Sequence, residues 1–244
     1  MDRNIRTVED VLELLDGLFA QGADRWSEDG GADWWDGFYG DRARPVPFFA
    51  AKPDENLAEY VASGTLTPGG RVLELGCGPG RNAVYLAGRD FTVDAVDLSA
   101  EAIRWGRERA EEAGVADRVR FLHGDAFALD GVEGPYDLVF DSGCFHHLPP
   151  HRRITYLALL DRVLAPGGHF GLTCFRSGGM GSELPDVAFY GDGHLHGGLA
   201  YSADALRGIF AGLEERELRR MRPQGPESDR FGEAFLWAAL FRRP

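Results

Sequence analysis

Glycines follow the first strongly apolar segment of this chain in a pattern that suits ligand binding. The segment RVLEL runs directly into Gly76-Cys77-Gly78-Pro79-Gly80. Glycines at a strand-to-helix turn let a ligand approach the backbone closely. The spacing G-x-G-x-G differs from the dinucleotide fingerprint G-x-G-x-x-G, because Arg81 stands in place of the third glycine, and the G-K-[ST] of a phosphate loop is absent. The turn therefore favours a ligand other than NAD or ATP, although the glycines alone leave another nucleotide open.

Acidic residues stand at the ends of the apolar segments. Asp97, Asp125 and Asp141 each end such a segment, and Glu74 lies inside the first one. A carboxylate accepts hydrogen bonds, so it suits hydroxyl and amine donors on a ligand. Simpler interpretations stay open: Asp97 as a cap for a helix that starts at Ser99, Asp125 as a turn residue, and Glu74 as a solvated acid.

Alternating strands and helices are predicted to position these residues. The predicted strands are Arg71–Cys77, Phe91–Leu98, Val119–Asp125, Tyr136–Asp141, Gly168–Phe175, Glu214–Arg222 and Gly232–Arg242. The predicted helices between them are Arg81–Ala87, Ser99–Ala113, Pro150–Leu164 (stopped by Pro166-Gly167-Gly168) and Ala203–Phe210. This order predicts an α/β fold with a doubly wound, Rossmann-like, seven-stranded, mostly parallel sheet. The last two strands form a hairpin at the sheet edge, with the last strand antiparallel.

The segment before the sheet is predicted to be an N-terminal helical cap. Val8–Phe19 and Asp54–Ala62 have helical spacing, and the stretch between them is rich in aromatic residues. We expect one domain over residues 1–244, with a cap over 1–65 and a Rossmann-like core over 66–244. Trp35 and Tyr39 either anchor this cap or form a wall of the ligand site, and the two roles are compatible.

The sequence resembles the class I methyltransferases that use S-adenosylmethionine (SAM). The resemblance rests on VLELGCGPGRN, on the acids that end the next three strands, and on the P-G-G before strand five, and it covers roughly residues 71–175. A weaker resemblance points to the bacterial tellurite- and thiopurine-methylating group. The family places an acid on the ribose hydroxyls, which implies Asp97, and another near the adenine amine, which implies Asp125. The resemblance implies SAM as cofactor and the following contacts: Glu74, Gly76, Cys77, Gly78, Gly80, Asn82, Asp97, Leu98, Asp125, Ala126 and Asp141.

The family places the methyl acceptor behind strand four, where this chain has Ser-Gly-Cys-Phe-His-His. His146 is the candidate general base if the acceptor must lose a proton, and the alternative is that both histidines are structural. Trp35, Tyr39, His147 and His194 are the candidate acceptor contacts. A metal site at His194 and His196 is conceivable, but no ligand spacing enforces one, so no metal is expected and a mobile loop is the better interpretation.

The composition of the chain limits the classes of partner and the cellular location that we expect. The formal net charge is −13, from 26 basic and 39 acidic residues, which disfavours a nucleic-acid substrate. The three cysteines lack metal spacing and the chain starts with a charged rather than apolar segment, so we expect a cytoplasmic protein. The weaker resemblance implies a bacterial-type protein, and we expect a monomer or homodimer. No apolar run has the length of a membrane span.

The sequence predicts methyl transfer from SAM to an oxygen, nitrogen or sulfur atom of a small molecule. Three alternatives stay open at this stage: SAM chemistry other than methyl transfer (cyclisation or aminocarboxypropyl transfer), a non-catalytic SAM- or nucleotide-binding regulator, and an RNA or protein methyltransferase.

Overall fold

A computed structural model describes residues 5–19, 25–26 and 30–244. Its centre is a seven-stranded sheet in the order β3-β2-β1-β4-β5-β7-β6. The strands are β1 (Arg71–Leu75), β2 (Thr92–Asp97), β3 (Val119–His123), β4 (Tyr136–Ser142), β5 (Leu164–Phe175), β6 (Glu214–Arg220) and β7 (Leu236–Arg242). β1 to β5 are parallel to one another, and β7 is antiparallel to both β5 and β6. The predicted fold and the predicted edge hairpin are confirmed.

The helices cover both faces of the parallel strands, which is why the central strands are apolar on both sides. In chain order they are α1 (Val8–Asp16), α2 (Gly30–Gly40), α3 (Glu55–Ala62), α4 (Arg81–Ala87), α5 (Ala100–Glu112), α6 (Arg153–Val163), α7 (Asp186–Asp192) and α8 (Ala203–Ile209). Leu73, Leu75 and Val139 are fully buried in the middle of the sheet. Ser99 caps α5 as predicted, because its hydroxyl accepts the N–H of Ala102 at 3.0 Å.

The chain reverses its direction of winding between β1 and β4. From β1 it builds outward through β2 and β3, and it then returns to place β4 on the other side of β1. A ligand crevice opens beyond the carboxyl ends of the strands at such a switch point. The glycine turn after β1 and the loop after β4 both lie at this place.

The predicted boundary between the sixth helix and the fifth strand was wrong. α6 ends at Val163, and β5 begins at Leu164, so Pro166-Gly167-Gly168 lies within the strand and does not stop the helix. Leu164 is buried and pairs with Tyr136, and the register then shifts before Leu138 pairs with His169. Pairing with β4 therefore overrides the local turn signal of this tripeptide.

The N-terminal segment also differs from its prediction. α1 ends at Asp16, and Leu12 is its buried residue, whereas Val8 and Val11 are 65% and 38% exposed. α2 was not predicted, because two glycines begin it and glycine disfavours helices. Its aromatic side chains pack against one another and against α5, and this tertiary packing offsets the weak propensity.

Candidate active site

The turn after β1 is held in a conformation that only glycine adopts easily. Gly76, Gly78 and Gly80 have φ values of +61°, +52° and +70°. A Cβ atom at Gly76 would stand 2.7 Å from the Cβ of Cys144, and one at Gly78 would stand 2.9 Å from the hydroxyl of Tyr39. The turn is therefore packed against the loop after β4 on one side and against α2 on the other. Cys77 is buried, and its N–H is bound by the carbonyl of Val96 at 2.9 Å.

Asp97 is the acid that lies closest to this turn. Its carboxylate accepts the N–H of Gly78 at 2.7 Å and the N–H of Ser99 at 2.9 Å. Burial raises the pKa of Asp97 to about 6, although the two backbone hydrogen bonds oppose that shift. Asp97 and its neighbour Leu98 both line the cavity described below. The backbone bonds fix the orientation of the carboxylate and leave lone pairs that can accept hydrogen bonds from a ligand.

Glu74 lies behind the turn rather than on the cavity wall. Its side chain is 1% exposed, and no group of the described residues forms a hydrogen bond with its Oε2. Burial raises its pKa to about 8, with Arg81 and Asn82 opposing the shift. The amide oxygen of Asn82 accepts the N–H of Asp54 at 2.9 Å, so Asn82 also faces the interior. These two predicted contacts reach a ligand only through the turn or through water.

Asp125 and Ala126 lie on the cavity wall together with Gly124 and Phe127. The carboxylate of Asp125 accepts the N–H of Phe127 at 2.9 Å. This bond fixes the turn after β3, and Asp125 therefore has both the turn role and the position predicted for a ligand contact.

Asp141 has a different position from the predicted one. Its carboxylate is fully buried, where it accepts the N–H groups of Gly143, Cys144 and Phe145 at 2.8–3.0 Å and the hydroxyl of Tyr156 at 2.8 Å. Burial raises its pKa to about 7. Asp141 does not line the cavity, so it is not placed for the predicted direct contact with the cofactor. Its hydrogen bonds instead shape the loop after β4, which carries the two histidines.

A cavity of about 470 Å³ opens at the crevice, which is within the usual size of a small-molecule site. Ten aromatic side chains are among the described residues that line it: Trp26, Trp34, Trp35, Phe38, Tyr39, Phe48, Phe127, Phe175, Phe231 and Phe235. The predicted residues Trp35, Tyr39, His146 and His147 also line it. These four come from α2 and from the loop after β4, and the structure brings them together.

Of the two adjacent histidines, His146 is buried and His147 is half-buried, and both are neutral. His146 stacks on Phe175 with ring centroids 3.7 Å apart, and the ring of His147 meets Trp35 edge-on at 5.1 Å. Burial and the charge of Arg25 lower the pKa of His147 to about 3, and burial lowers that of His146 well below its ordinary value. Among the described residues, no group forms a hydrogen bond with the buried Nδ1 atom of either ring. Both histidines line the cavity, but each ring is a weak proton acceptor.

His194 does not reach the cavity. Its side chain is exposed, and its Nδ1 accepts the N–H of His196 at 2.8 Å. The reason is that α7 and the glycines around it direct this pair to the surface. The same loop does reach the site further along, where Gly197 lines the cavity and Leu199 donates its N–H to the carbonyl of His146 at 2.7 Å. Within the described ranges, no group of three His, Cys, Asp or Glu side chains is arranged to hold a metal ion.

Arg81, Arg25 and Asp36 are among the residues of the site that were not predicted. Arg81 lines the cavity, forms an ion pair with buried Asp54, and donates to the hydroxyl of Ser142 at 2.9 Å. Arg25 also lines it. Asp36 of α2 accepts the hydroxyl of Ser99 at 2.6 Å and so fastens the helix beside Asp97. Only Arg81 had a signal in the sequence, since it directly follows the glycine turn.

The site fits SAM on observations of its own. The glycine turn leaves no room for a Cβ atom, two carboxylates stand on the wall beside it, and a third buried carboxylate behind it has an oxygen without a partner. These groups suit two ribose hydroxyls and two amines, which are the hydrogen-bond donors of that molecule.

Comparison with known proteins agrees with this geometry. Residues 72–168 match the family model described as a methyltransferase domain. The 27-O-demethylrifamycin SV methyltransferase of Amycolatopsis mediterranei is 30% identical over 164 residues, which are 67% of this chain and 54% of that protein. These matches support membership of the class I SAM-dependent methyltransferases. The chain spans about half the length of this curated relative.

Two solved structures show how far the likeness of this chain to methyltransferases extends. One, from work on the conversion of a disulfide bond into a thioacetal group during echinomycin biosynthesis, has a TM-score of 0.68 and 27% identity, and the match covers 87% of this chain and 91% of the other. The second is the 1,6-didemethyltoxoflavin-N1-methyltransferase of Burkholderia thailandensis, with a TM-score of 0.57 and 24% identity, covering 100% and 93%. It was solved with its substrate and S-adenosylhomocysteine. The shared fold therefore extends beyond the segment that the family model matches.

Proposed function

We propose that this methyltransferase binds SAM at the glycine turn and moves its methyl group to a small molecule held in the aromatic part of the cavity. One observation carries the proposal: the buried carboxylate of Asp97, fixed by the N–H of Gly78, lies on the wall of a cavity of about 470 Å³. A carboxylate in this place accepts hydrogen bonds from a hydroxylated ligand, not from a phosphate.

The chain's own groups divide the cavity into two parts. Gly76, Asp97, Leu98, Asp125 and Ala126 form the cofactor part. The cofactor supplies an electrophilic methyl group when it is bound. Glu74 acts behind the turn, where its Oε2, which has no hydrogen-bond partner among the described residues, accepts a hydrogen bond through a water molecule that bridges to the cofactor's amine.

The acceptor part is formed by Trp35, Tyr39, His146 and His147 together with Phe175. Rings at the wall exclude water and hold the acceptor in line, and this alignment supplies the main rate enhancement for an in-line displacement. His146 borders the acceptor as a neutral ring. Its lowered pKa makes it a poor base for an ordinary hydroxyl, so we assign it contact and orientation first.

A small acceptor is supported by the volume of the cavity, about 470 Å³, by its apolar lining and by the relatives. The named relatives act on a rifamycin precursor and on a toxoflavin precursor. The net charge of −13 argues against a nucleic-acid acceptor. None of the helices formed by the described residues has the length and apolar character of a bilayer crossing. The three cysteines are free, which supports a cytoplasmic location.

Calorimetry tests the cofactor, and product analysis tests the reaction. We expect binding of SAM and of S-adenosylhomocysteine, and none of NAD. Incubation with methyl-labelled SAM and a panel of aromatic hydroxyl compounds and amines should give labelled product and S-adenosylhomocysteine. Preferential binding of NAD, or release of methylthioadenosine in place of S-adenosylhomocysteine, would contradict the proposal.

A further inference from the structure

Arg25 places its guanidinium group at the acceptor part of the cavity. Within the described ranges, this group forms no ion pair with a carboxylate. Its guanidinium carbon lies 4.0 Å from the ring centroid of Trp34, and its Nη1 is 3.5 Å from the carbonyl oxygen of Gly197. The backbone is held too, because the indole N–H of Trp35 donates to the carbonyl of Arg25 at 2.9 Å. The cation is thus fixed against the cavity wall.

The other charged groups of the wall are already assigned or lie apart from Arg25. Arg81 is paired with Asp54, and Asp97 and Asp125 stand in the cofactor part. Glu233 is a half-buried carboxylate of the wall, yet no ion pair joins it to Arg25. Arg25 remains partly desolvated, and burial alone lowers its pKa. A cation kept out of water without a counter-ion is costly, and an anionic ligand removes that cost.

The neighbours of Arg25 set the shape of such a ligand. Trp34 stacks on Phe38 at 5.3 Å, Trp35 stacks on Tyr39 at 5.8 Å, and His146 stacks on Phe175 at 3.7 Å. Flat walls of this kind hold a flat aromatic molecule well. The two neutral histidines are poor acceptors for a proton, so the site suits an acceptor that has lost its proton before it reacts.

We propose that Arg25 is the counter-ion of an ionised aromatic acceptor, a phenolate or enolate whose oxygen takes the methyl group. This inference rests on the proposed function. The ionised oxygen forms the new bond to the methyl carbon, the bond between that carbon and sulfur breaks toward sulfur, and no proton moves. An anion and a sulfonium thereby become a neutral ether and a neutral thioether.

Equilibrium binding tests the inference without relying on turnover. The probes are 2-naphthoate and 2-naphthamide, which share a flat ring system and differ in charge. Each is titrated by tryptophan fluorescence and calorimetry into the protein saturated with S-adenosylhomocysteine. We expect the carboxylate to bind about tenfold or more tightly than the amide, as a charged hydrogen bond to arginine provides. Arg25→Gln should remove this preference and leave the binding of the amide and of S-adenosylhomocysteine unchanged.

Arg44→Gln is the matched control, because its guanidinium also faces an aromatic ring, at 4.6 Å from Phe38, but lies outside the cavity wall. It should keep the full preference for the carboxylate. The inference is overturned if the wild-type protein binds the amide as tightly as the carboxylate, if it binds neither while still binding S-adenosylhomocysteine, or if Arg25→Gln keeps the preference. Failure to bind S-adenosylhomocysteine would instead overturn the proposed function.

Discussion

At the scale of single residues, burial decides what each acid of the site can do. Asp97 and Asp125 reach the cavity wall, whereas Glu74 and Asp141 are enclosed by the protein. The carboxylate of Asp141 accepts hydrogen bonds from three backbone N–H groups and one hydroxyl group, and these bonds shape the loop that carries the histidines. Two acids at corresponding strand ends therefore have opposite roles: one faces a ligand and the other holds a loop.

Asp97 gives the prediction at this scale. Asp97→Asn should weaken SAM binding by about 1.5–3 kcal/mol, the usual contribution of a hydrogen bond to a charged group. Because the pKa of Asp97 is about 6, the wild-type affinity should be full above that pH and fall as the pH drops through it, since protonation removes an acceptor. Calorimetry from pH 5 to pH 8 measures both effects. An unchanged affinity in the folded variant would leave Asp97 with a structural role only.

At the scale of elements, α2 is the part of the structure that closes the site. It brings Trp34, Trp35, Phe38 and Tyr39 to the cavity, and it is fastened to the start of α5. The carboxylate of Asp36 accepts the hydroxyl of Ser99 at 2.6 Å and the N–H of Glu101 at 3.1 Å. A negative charge at the N-terminus of a helix is favourable, so this contact stabilises α5. The same contact holds α2 in position beside α5.

We expect Asp36→Ala to release α2 from this position. The loss should be about 1–2 kcal/mol in the free energy of unfolding, comparable with the loss of a helix cap. Turnover should fall more than this destabilisation explains, because the wall of the acceptor part moves. Denaturant unfolding and steady-state kinetics measure the two. Asp33→Ala, at an exposed position of the same helix, is the control and should change neither. Equal effects of the two variants would show that α2 needs no contact with α5.

At the scale of the whole molecule, segments distant along the chain enclose the cavity. α2 covers one side, and the connection between β6 and β7 covers another with Phe231 and Phe235. That connection is bound to the start of α3, where the N–H of Phe231 donates to the carbonyl of Pro53 at 2.7 Å and the N–H of Glu55 donates to the carbonyl of Phe231 at 2.8 Å. The site therefore depends on the complete fold.

The buried acids make the stability of the molecule depend on pH. Glu74 and Asp141 have pKa values of about 8 and about 7, well above those of an unfolded chain, so the native state binds more protons between about pH 6.5 and pH 8.5. The free energy of unfolding should thus fall as the pH rises through this window, by up to about 1.4 kcal/mol per pH unit for each group. The histidines with lowered pKa values have the opposite effect below about pH 6.5, where they make the free energy of unfolding rise with pH.

Urea unfolding at pH 6.5, 7.5 and 8.5 measures the slope of the free energy of unfolding against pH. Glu74→Gln should make this slope less steep, because the glutamine does not titrate. Glu111→Gln, at an exposed position of α5, is the matched control and should keep the slope. A wild-type stability that rises from pH 6.5 to pH 8.5 would contradict the assignment of raised pKa values to these acids.

Local sequence determined the fold and the cofactor part of the site. Apolar runs separated by helical segments place the ends of β1 to β4 at one edge of the sheet, and the glycine turn and Asp97 lie beside one another for that reason alone. The N-cap Ser99 and the helix α4 were also predictable from local sequence, because hydrogen bonds and dihedral preferences over a few residues determine them.

The tertiary structure decided the rest, since it depends on contacts between segments far apart in the chain. α2 forms although glycines begin it, because its rings pack on one another and on α5. β5 extends through a Pro-Gly-Gly tripeptide because β4 pairs with it. Asp141 and His194 turn away from the cavity, and Arg25 and Arg81 turn toward it, since burial and pairing across the fold set the direction of a side chain. No local pattern encodes those contacts.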